Sequence, residues 1–190
     1  MAVSFGWLAI GIKSQRHFLP PERSASLGLT RPFHAFVKAA RYFLTMNPSP
    51  IILAQTDPDI ARCFPVMLQL RTHLVETEFV SRVRRMQQQG YQLASLADAA
   101  GTVRSVAGFR ISELLYSGKT LYVDDLVTDS VTRSQGYGDR LIDWLVEFAR
   151  SNDCNEFSLD SGTQRVDAHR FYLRKRMKIS SFHFSLPLNK

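Results

Sequence analysis

Between Thr120 and Val127 the sequence TLYVDDLV changes phase. Leu121 and Val123 put apolar side chains at odd positions, but the next apolar residue is Leu126, and the slip falls on Asp124-Asp125. Side chains of a strand alternate between two faces, so a slip of this kind is what a β-bulge produces. A bulge leaves backbone groups unpaired and splays the strand from its neighbour. Two successive acids in an apolar strand are also costly unless the strand opens onto water or a polar site. The alternative is an early strand end, with both aspartates in a solvated turn. Just beyond lies a glycine loop, Arg133-Ser134-Gln135-Gly136-Tyr137-Gly138, followed by a helical pattern to about Arg150. Leu141, Leu145 and Phe148 form the apolar face of that helix, with Asp143 and Glu147 opposite.

The elements before and after can be read from periodicity. Ile51 to Ala54 reads as a strand. Asp57-Pro58 offers an N-cap and a first-turn proline for a helix bearing Ile60, Phe64, Met67 and Leu74, which Pro65 should kink or interrupt. A second helix, about Thr77 to Gln89, should end at Gly90. Strand-like runs follow at Tyr91–Ala97, Ser105–Leu115 and Thr120–Val127, divided by Gly101 and Ser117-Gly118. After the glycine loop and its helix come a strand, Glu156–Leu159, and a last helix, Gln164–Lys175. The alternating segment Ile179–Leu186 reads as a final strand.

The glycine loop fails two named phosphate motifs. A dinucleotide fingerprint needs a third small residue where Leu141 stands, and a Walker loop needs Gly-Lys-Ser/Thr where Gly138-Asp139-Arg140 stands. What remains is either an ordinary turn or the physics beneath those motifs. A glycine-containing loop opening a helix presents free N–H groups and the positive end of the helix dipole to an anion.

Composition narrows the class. The 190 residues are 45% hydrophobic and carry 24 Lys/Arg against 17 Asp/Glu, a net +7. Residues 1–45 hold six of those basic side chains and one acid, so the remainder is nearly balanced and a nucleic-acid role is not expected of it. This Arg/Ser-rich extension fits a disordered tail, a targeting presequence or a start upstream of Met46; the domain is expected over 46–190. The apolar run Phe5–Ile12 is too short to span a bilayer. Cys63 and Cys154 belong to no metal-ligand spacing, so neither a metal nor a structural disulfide is expected. A reducing, cytoplasmic setting follows, unless residues 1–45 are a presequence.

At this point the chain resembles the GNAT superfamily of acyl-CoA-dependent N-acyltransferases. Their loop, R/Q-x-x-G-x-G/A after a bulged strand, stands complete as Arg133 to Gly138. A second family segment on the last helix reads Ala168-His169-Arg170-Phe171-Tyr172-Leu173-Arg174-Lys175-Arg176-Met177. The likeness covers roughly residues 50–188. It implies an α+β layered fold: a mixed, mostly antiparallel twisted sheet with helices on both faces and a splayed parallel strand pair. One departure stands out. The glycine usual after the last helix is Arg176, so that helix end is expected to be built differently.

The resemblance implies direct acetyl transfer from acetyl-CoA to a primary amine of a small molecule, peptide or protein. The rival is a non-catalytic acyl-CoA-binding module. The pantetheine arm would bond backbone groups of Leu126 and Val127, and the pyrophosphate would sit on Arg133, Ser134, Gln135, Gly136, Tyr137, Gly138 and Asp139. Tyr172 would be the acid that protonates the leaving thiolate. Glu113 and Asp125 are the candidates for a base, and Asp124 and Asp160 for binding a cationic amine. Neither nucleic acid nor membrane is expected as a partner, and a homodimer is compatible with the family.

Overall fold

The computed structural model describes residues 50–188; the expected extension, 1–45, lies outside the described residues. In chain order the elements are β1 (Ile51–Leu53), α1 (Asp57–Leu68), α2 (Glu76–Gln87), β2 (Tyr91–Ala97), β3 (Val103–Leu114), β4 (Gly118–Thr128), α3 (Tyr137–Ser151), β5 (Glu156–Leu159) and α4 (Val166–Arg174). The strands stand side by side in chain order. All neighbours are antiparallel except β4 and β5, which are parallel and joined through α3, as a parallel crossover requires. This is the mixed, mostly antiparallel sheet that the sequence implied.

The sheet has a core on each face. On one, Ile60, Phe64 and Met67 of α1 and Phe79 and Val83 of α2 pack over Leu93, Val106 and Val127. On the other, Leu141, Leu145 and Ala149 of α3 cover Ala94, Ala107, Phe109, Leu121 and Val123. Phe109 meets Trp144 and Phe148 of α3 edge to face, with ring centroids 6.3 and 5.4 Å apart.

Within β4 the face changes at the bulge. Leu121 and Val123 point toward α3, whereas Val127, also odd-numbered, points toward α1 and α2. The ladder with β3 explains this: Gly108 pairs with Asp125 and Phe109 with Val123, so Asp124 is the extra residue. The bulge also marks where β4 and β5 part. Their pairing runs from Thr120–Glu156 to Val123–Leu159 and stops there. Among the described residues, 125–128 keep β3 on one edge and have no strand on the other.

The bulge is held by a polar clamp inside the α1/α2 core. Asp125 is 8% exposed. Its Oδ1 accepts from Arg71 Nε at 2.7 Å and its Oδ2 from the Tyr91 hydroxyl at 3.0 Å. Tyr91 lies on β2, two strands away from Asp125, so its ring must cross β3. It crosses at Gly108, where a Cβ would run into the ring and hydroxyl of Tyr91.

The helix expected to carry Leu74 ends at Leu68, and four further local expectations change. The α1 cap is Thr56 rather than Asp57: Thr56 accepts from the Asp59 N–H, and Asp59 reciprocates, forming a capping box. Pro65 does not break α1, because it and Ala61, whose carbonyl loses its donor, lie on the exposed face where water can serve. The final strand is absent from the described residues. Its alternation is there, but Phe182 and Phe184 remain 85% and 90% exposed, and no strand edge pairs with the segment. Alternation describes a half-buried strand; only a partner edge makes one.

The end of α4 is the fourth. Arg176 occupies the left-handed region at φ +63°. Its N–H bonds Leu173 O at 3.0 Å, and Met177 N–H bonds Tyr172 O at 3.1 Å, the two bonds of a Schellman motif. The helix therefore ends as a glycine would end it, with a side chain bearing the strain.

Two stability measurements follow. Gly108→Ala should lower stability by about 2–3 kcal/mol in urea unfolding, since the ring it meets is fixed by Asp125. The loss should shrink in a Tyr91→Ala background. Arg176→Gly should raise stability by about 0.5–1 kcal/mol, read as a higher unfolding midpoint.

Candidate functional site

The glycine loop is positioned by what precedes it. Asp129, at the end of β4, accepts from Gln69 Nε2 at 3.1 Å and from Arg104 at 2.8 Å, and its side chain caps the short turn Ser130–Thr132. Gln69 also accepts from the Ser130 N–H at 2.9 Å. These bonds hold the Asp129 carboxyl below its usual range, the Gln69 contact contributing most. The chain then turns through Ser134 (φ +62°) and Gly136 (φ +85°), and α3 starts at Tyr137. Gly136 is the N-cap and offers no side chain to the first N–H groups. A Cβ on Gly138 would lie 3.0 Å from Thr128 Oγ1, so the loop packs closely on the end of β4.

Beside this loop lies a cleft of about 640 Å³ bounded by the end of β4, the glycine loop and α4 with the residues just before it. Of the residues expected to hold acetyl-CoA, Leu126, Val127, Arg133, Ser134, Gly136, Gly138 and Asp139 line it. Gln135 and Tyr137 belong to the same loop but do not line it. The opposite wall is α4, including Phe171 and Tyr172.

A second cavity, of about 100 Å³, adjoins the first. Leu70, Leu126, Arg165 and Tyr172 line both, so the tyrosine stands at their junction. Burial raises the Tyr172 phenol above its ordinary value, and the nearby Arg165 guanidinium works against that rise. The helix carrying Tyr172 is fastened to α3: Lys175 Nζ lies 2.8 Å from Asp143 and 3.0 Å from Asp139. At the other end His169 Nε2 lies 3.0 Å from Gly162 O, tying α4 to the loop that follows β5.

The four candidate acids separate in space. Asp124 lines the smaller cavity, where burial raises its carboxyl above the usual range although Arg110 Nε lies 2.9 Å away. Asp160 lines it too, bonded to the Tyr122 hydroxyl and 2.7 Å from His183 Nδ1. Burial, then Asp160, pushes Tyr122 up to about 12. Asp125 points to the α1/α2 face and has both oxygens engaged by Arg71 and Tyr91. Glu113 lies near the β3–β4 hairpin, opposite Lys119 and exposed, and lines neither cavity.

Several residues of this arrangement carried no signal in the sequence. Gln69 and Arg104 meet at Asp129, and Arg71 and Arg165 at the smaller cavity, each pair drawn from separate segments of the chain. Gly108 and Tyr91 read as ordinary strand residues. Among the described residues no group of His, Cys, Asp and Glu is arranged to hold a metal ion, and no helix is long and apolar enough to cross a membrane.

Known proteins resemble this chain in sequence and in fold. The pattern of the acetyltransferase (GNAT) family matches residues 58–177, well over half of the chain. An uncharacterized N-acetyltransferase, YhdJ of Bacillus subtilis, is 35% identical over 130 residues, spanning 67% of this chain and 91% of that protein. An aminoalkylphosphonate N-acetyltransferase of Salmonella typhimurium is 38% identical over 66 residues, 35% of this chain and 43% of that one. In fold, the crystal structure of a Trypanosoma brucei acetyltransferase superimposes with a TM-score of 0.61 at 20% identity, covering 73% of this chain and 99% of that one. The bulged strand, the glycine loop and the tyrosine on α4 thus stand in a chain whose sequence matches that family along most of its domain, and the chain belongs to the GNAT family of acetyltransferases, enzymes that move an acetyl group onto an amine.

Proposed function

We propose that the larger cleft holds acetyl-CoA and the smaller cavity a small-molecule primary amine, with transfer at their junction. The observation that carries this is the set of residues shared by both cavities, Leu126 on the splayed strand and Tyr172 on α4. The residues present suit the co-substrate. Gly138 lets the loop backbone lie close against β4, Gly136 supplies the left-handed turn, and the start of α3 offers uncapped N–H groups to a pyrophosphate. The free edge of β4 after the bulge offers Leu126 and Val127 backbone groups to an extended amide arm, as to an added strand. Acetyl-CoA brings an acyl thioester to this site; the remaining work falls to the chain.

The chain has three tasks. A backbone N–H near Leu126 or Val127 polarises the acyl carbonyl. Tyr172 keeps its proton at neutral pH, because burial raises its pKa, and gives it to the departing thiolate. Asp160 receives the ammonium and takes its proton, with His183 beside it as the way out to solvent. Asp124 shares in orienting the amine. Asp125, both of whose oxygens are taken, positions Arg71 and the bulge rather than acting as a base. Glu113, outside both cavities, has no part in this reading. A volume of about 100 Å³ and the Salmonella relative, whose name specifies a small aminated substrate, favour a small molecule over a protein as acceptor.

The test is calorimetry with acetyl-CoA, then thiol release over a panel of amines. Tyr172→Phe should lower kcat about 100-fold with acetyl-CoA affinity unchanged; a loss of affinity alone would assign the tyrosine to binding. Failure to bind acetyl-CoA would remove the reading of the cleft. With pH, the alkaline limb of kcat, read with the acceptor bound, should lie above the ordinary phenol range, because burial raises the Tyr172 phenol and the acid is lost only when it deprotonates.

A further inference from the structure

The smaller cavity carries more charge than a simple amine would need. Four charged side chains, Arg71, Asp124, Asp160 and Arg165, line it. The protein itself answers three. Arg71 donates to Asp125 Oδ1 at 2.7 Å and to Asp124 O at 2.9 Å. Asp124 accepts from Arg110 Nε at 2.9 Å. Asp160 is bonded by Tyr122 and lies 2.7 Å from His183 Nδ1. Arg165 is the fourth, and among the described residues its guanidinium has no carboxylate within ion-pair distance.

Arg165 is nevertheless placed with care. It ends the short loop that Asp160 begins, and that loop is closed by the Arg165 N–H on Gly162 O at 2.9 Å, with His169 Nε2 3.0 Å from the same carbonyl. A carboxylate and a guanidinium are thus presented to one cavity from the two ends of a single braced turn. The guanidinium is near enough to Tyr172 for its charge to oppose the rise in the phenol's pKa. A plain alkylamine would satisfy Asp160 and leave Arg165, an exposed residue, answered by water alone. A guanidinium is instead suited to paired bonds with a carboxylate or a phosphorus oxyanion.

Resting on the reading of this cavity as the acceptor site, we propose that the acceptor is an amine that also carries an anionic group, its ammonium on Asp160 and its anion on Arg165. The anion is a carboxylate or a phosphorus oxyanion, and two matched pairs of acceptors separate them: β-alanine against n-propylamine, and O-phosphoethanolamine against ethanolamine. Because Arg165 also lines the larger cleft, acetyl-CoA affinity is measured alongside.

In at least one pair the full chain should favour the anionic member by about tenfold or more in kcat/KM, the usual size of one charge-assisted contact. Arg165→Ala should collapse that ratio toward one, and Arg165→Lys should keep part of it. Circular dichroism checks that both variants fold. Equal use of both members in each pair would overturn the inference, as would a preference that survives Arg165→Ala. A tenfold loss of acetyl-CoA affinity with the acceptor ratio unchanged would also overturn it, and would assign Arg165 to a phosphate of CoA. Turnover of none of the four overturns it as well; if the broader amine panel is turned over, the acceptor-site reading survives on its own.

Discussion

A buried carboxylate at a strand irregularity organises this molecule. Asp125 lies within an apolar core, where an ion without partners would cost several kcal/mol. Arg71 and Tyr91 supply those partners, and each comes from a different part of the chain. Arg71 brings the segment after α1 against β4, and Tyr91 reaches across β3 because Gly108 has no side chain to stop it. With the bulge fixed on one side, β4 leaves β5 after Val123 on the other. The smaller cavity, lined by Val123, Asp124 and Leu126 of β4 and by Leu159 of β5, opens where the two strands part.

A second polar anchor fixes what the bulge opens. Gln69 and Arg104 converge on Asp129, two bonded layers beyond Asp125, and hold the turn from which the glycine loop departs. Gln69 and Arg71 are two residues apart, so the short stretch after α1 grips β4 at both the bulge and its end. The side that bears the tyrosine is fastened separately, by Lys175 to the first two turns of α3 and by His169 to the loop after β5. The two walls of the cleft thus have independent supports, and changes to one can be examined without dissolving the other.

Much of the fold is legible in the sequence. The limits of β2 and β5 match the periodicity, and the phase slip at Asp124-Asp125 marked the bulge because alternation is a strict rule of strand geometry. Arg133 to Gly138 and Phe171-Tyr172 were visible as a spaced pair of motifs. The misses have physical causes. Pro65 is tolerated because its ring faces water, and Thr56 rather than Asp57 caps α1 because it alone can share a reciprocal bond with Asp59. The segment after Arg176 has the pattern of a strand but pairs with no edge among the described residues, although β5 has no neighbour on its outer side. Arg176 itself takes the conformation of the glycine it replaces, since the Schellman bonds to Leu173 and Tyr172 hold it there.

The candidate acids show where sequence stops. Alternation could say that Asp124 and Asp125 face opposite ways, but not which of them would be consumed by a structural clamp. That depended on Arg71, Tyr91 and Gly108, three residues with no local pattern in common. By itself the sequence determined the order of elements, the bulge and the loop that follows it, because those depend on local periodicity and on the backbone freedom of glycine. Only the tertiary structure decided which carboxylates line the smaller cavity and which cation stands beside them. Those are properties of side chains brought together from distant segments, and no spacing along the chain encodes them.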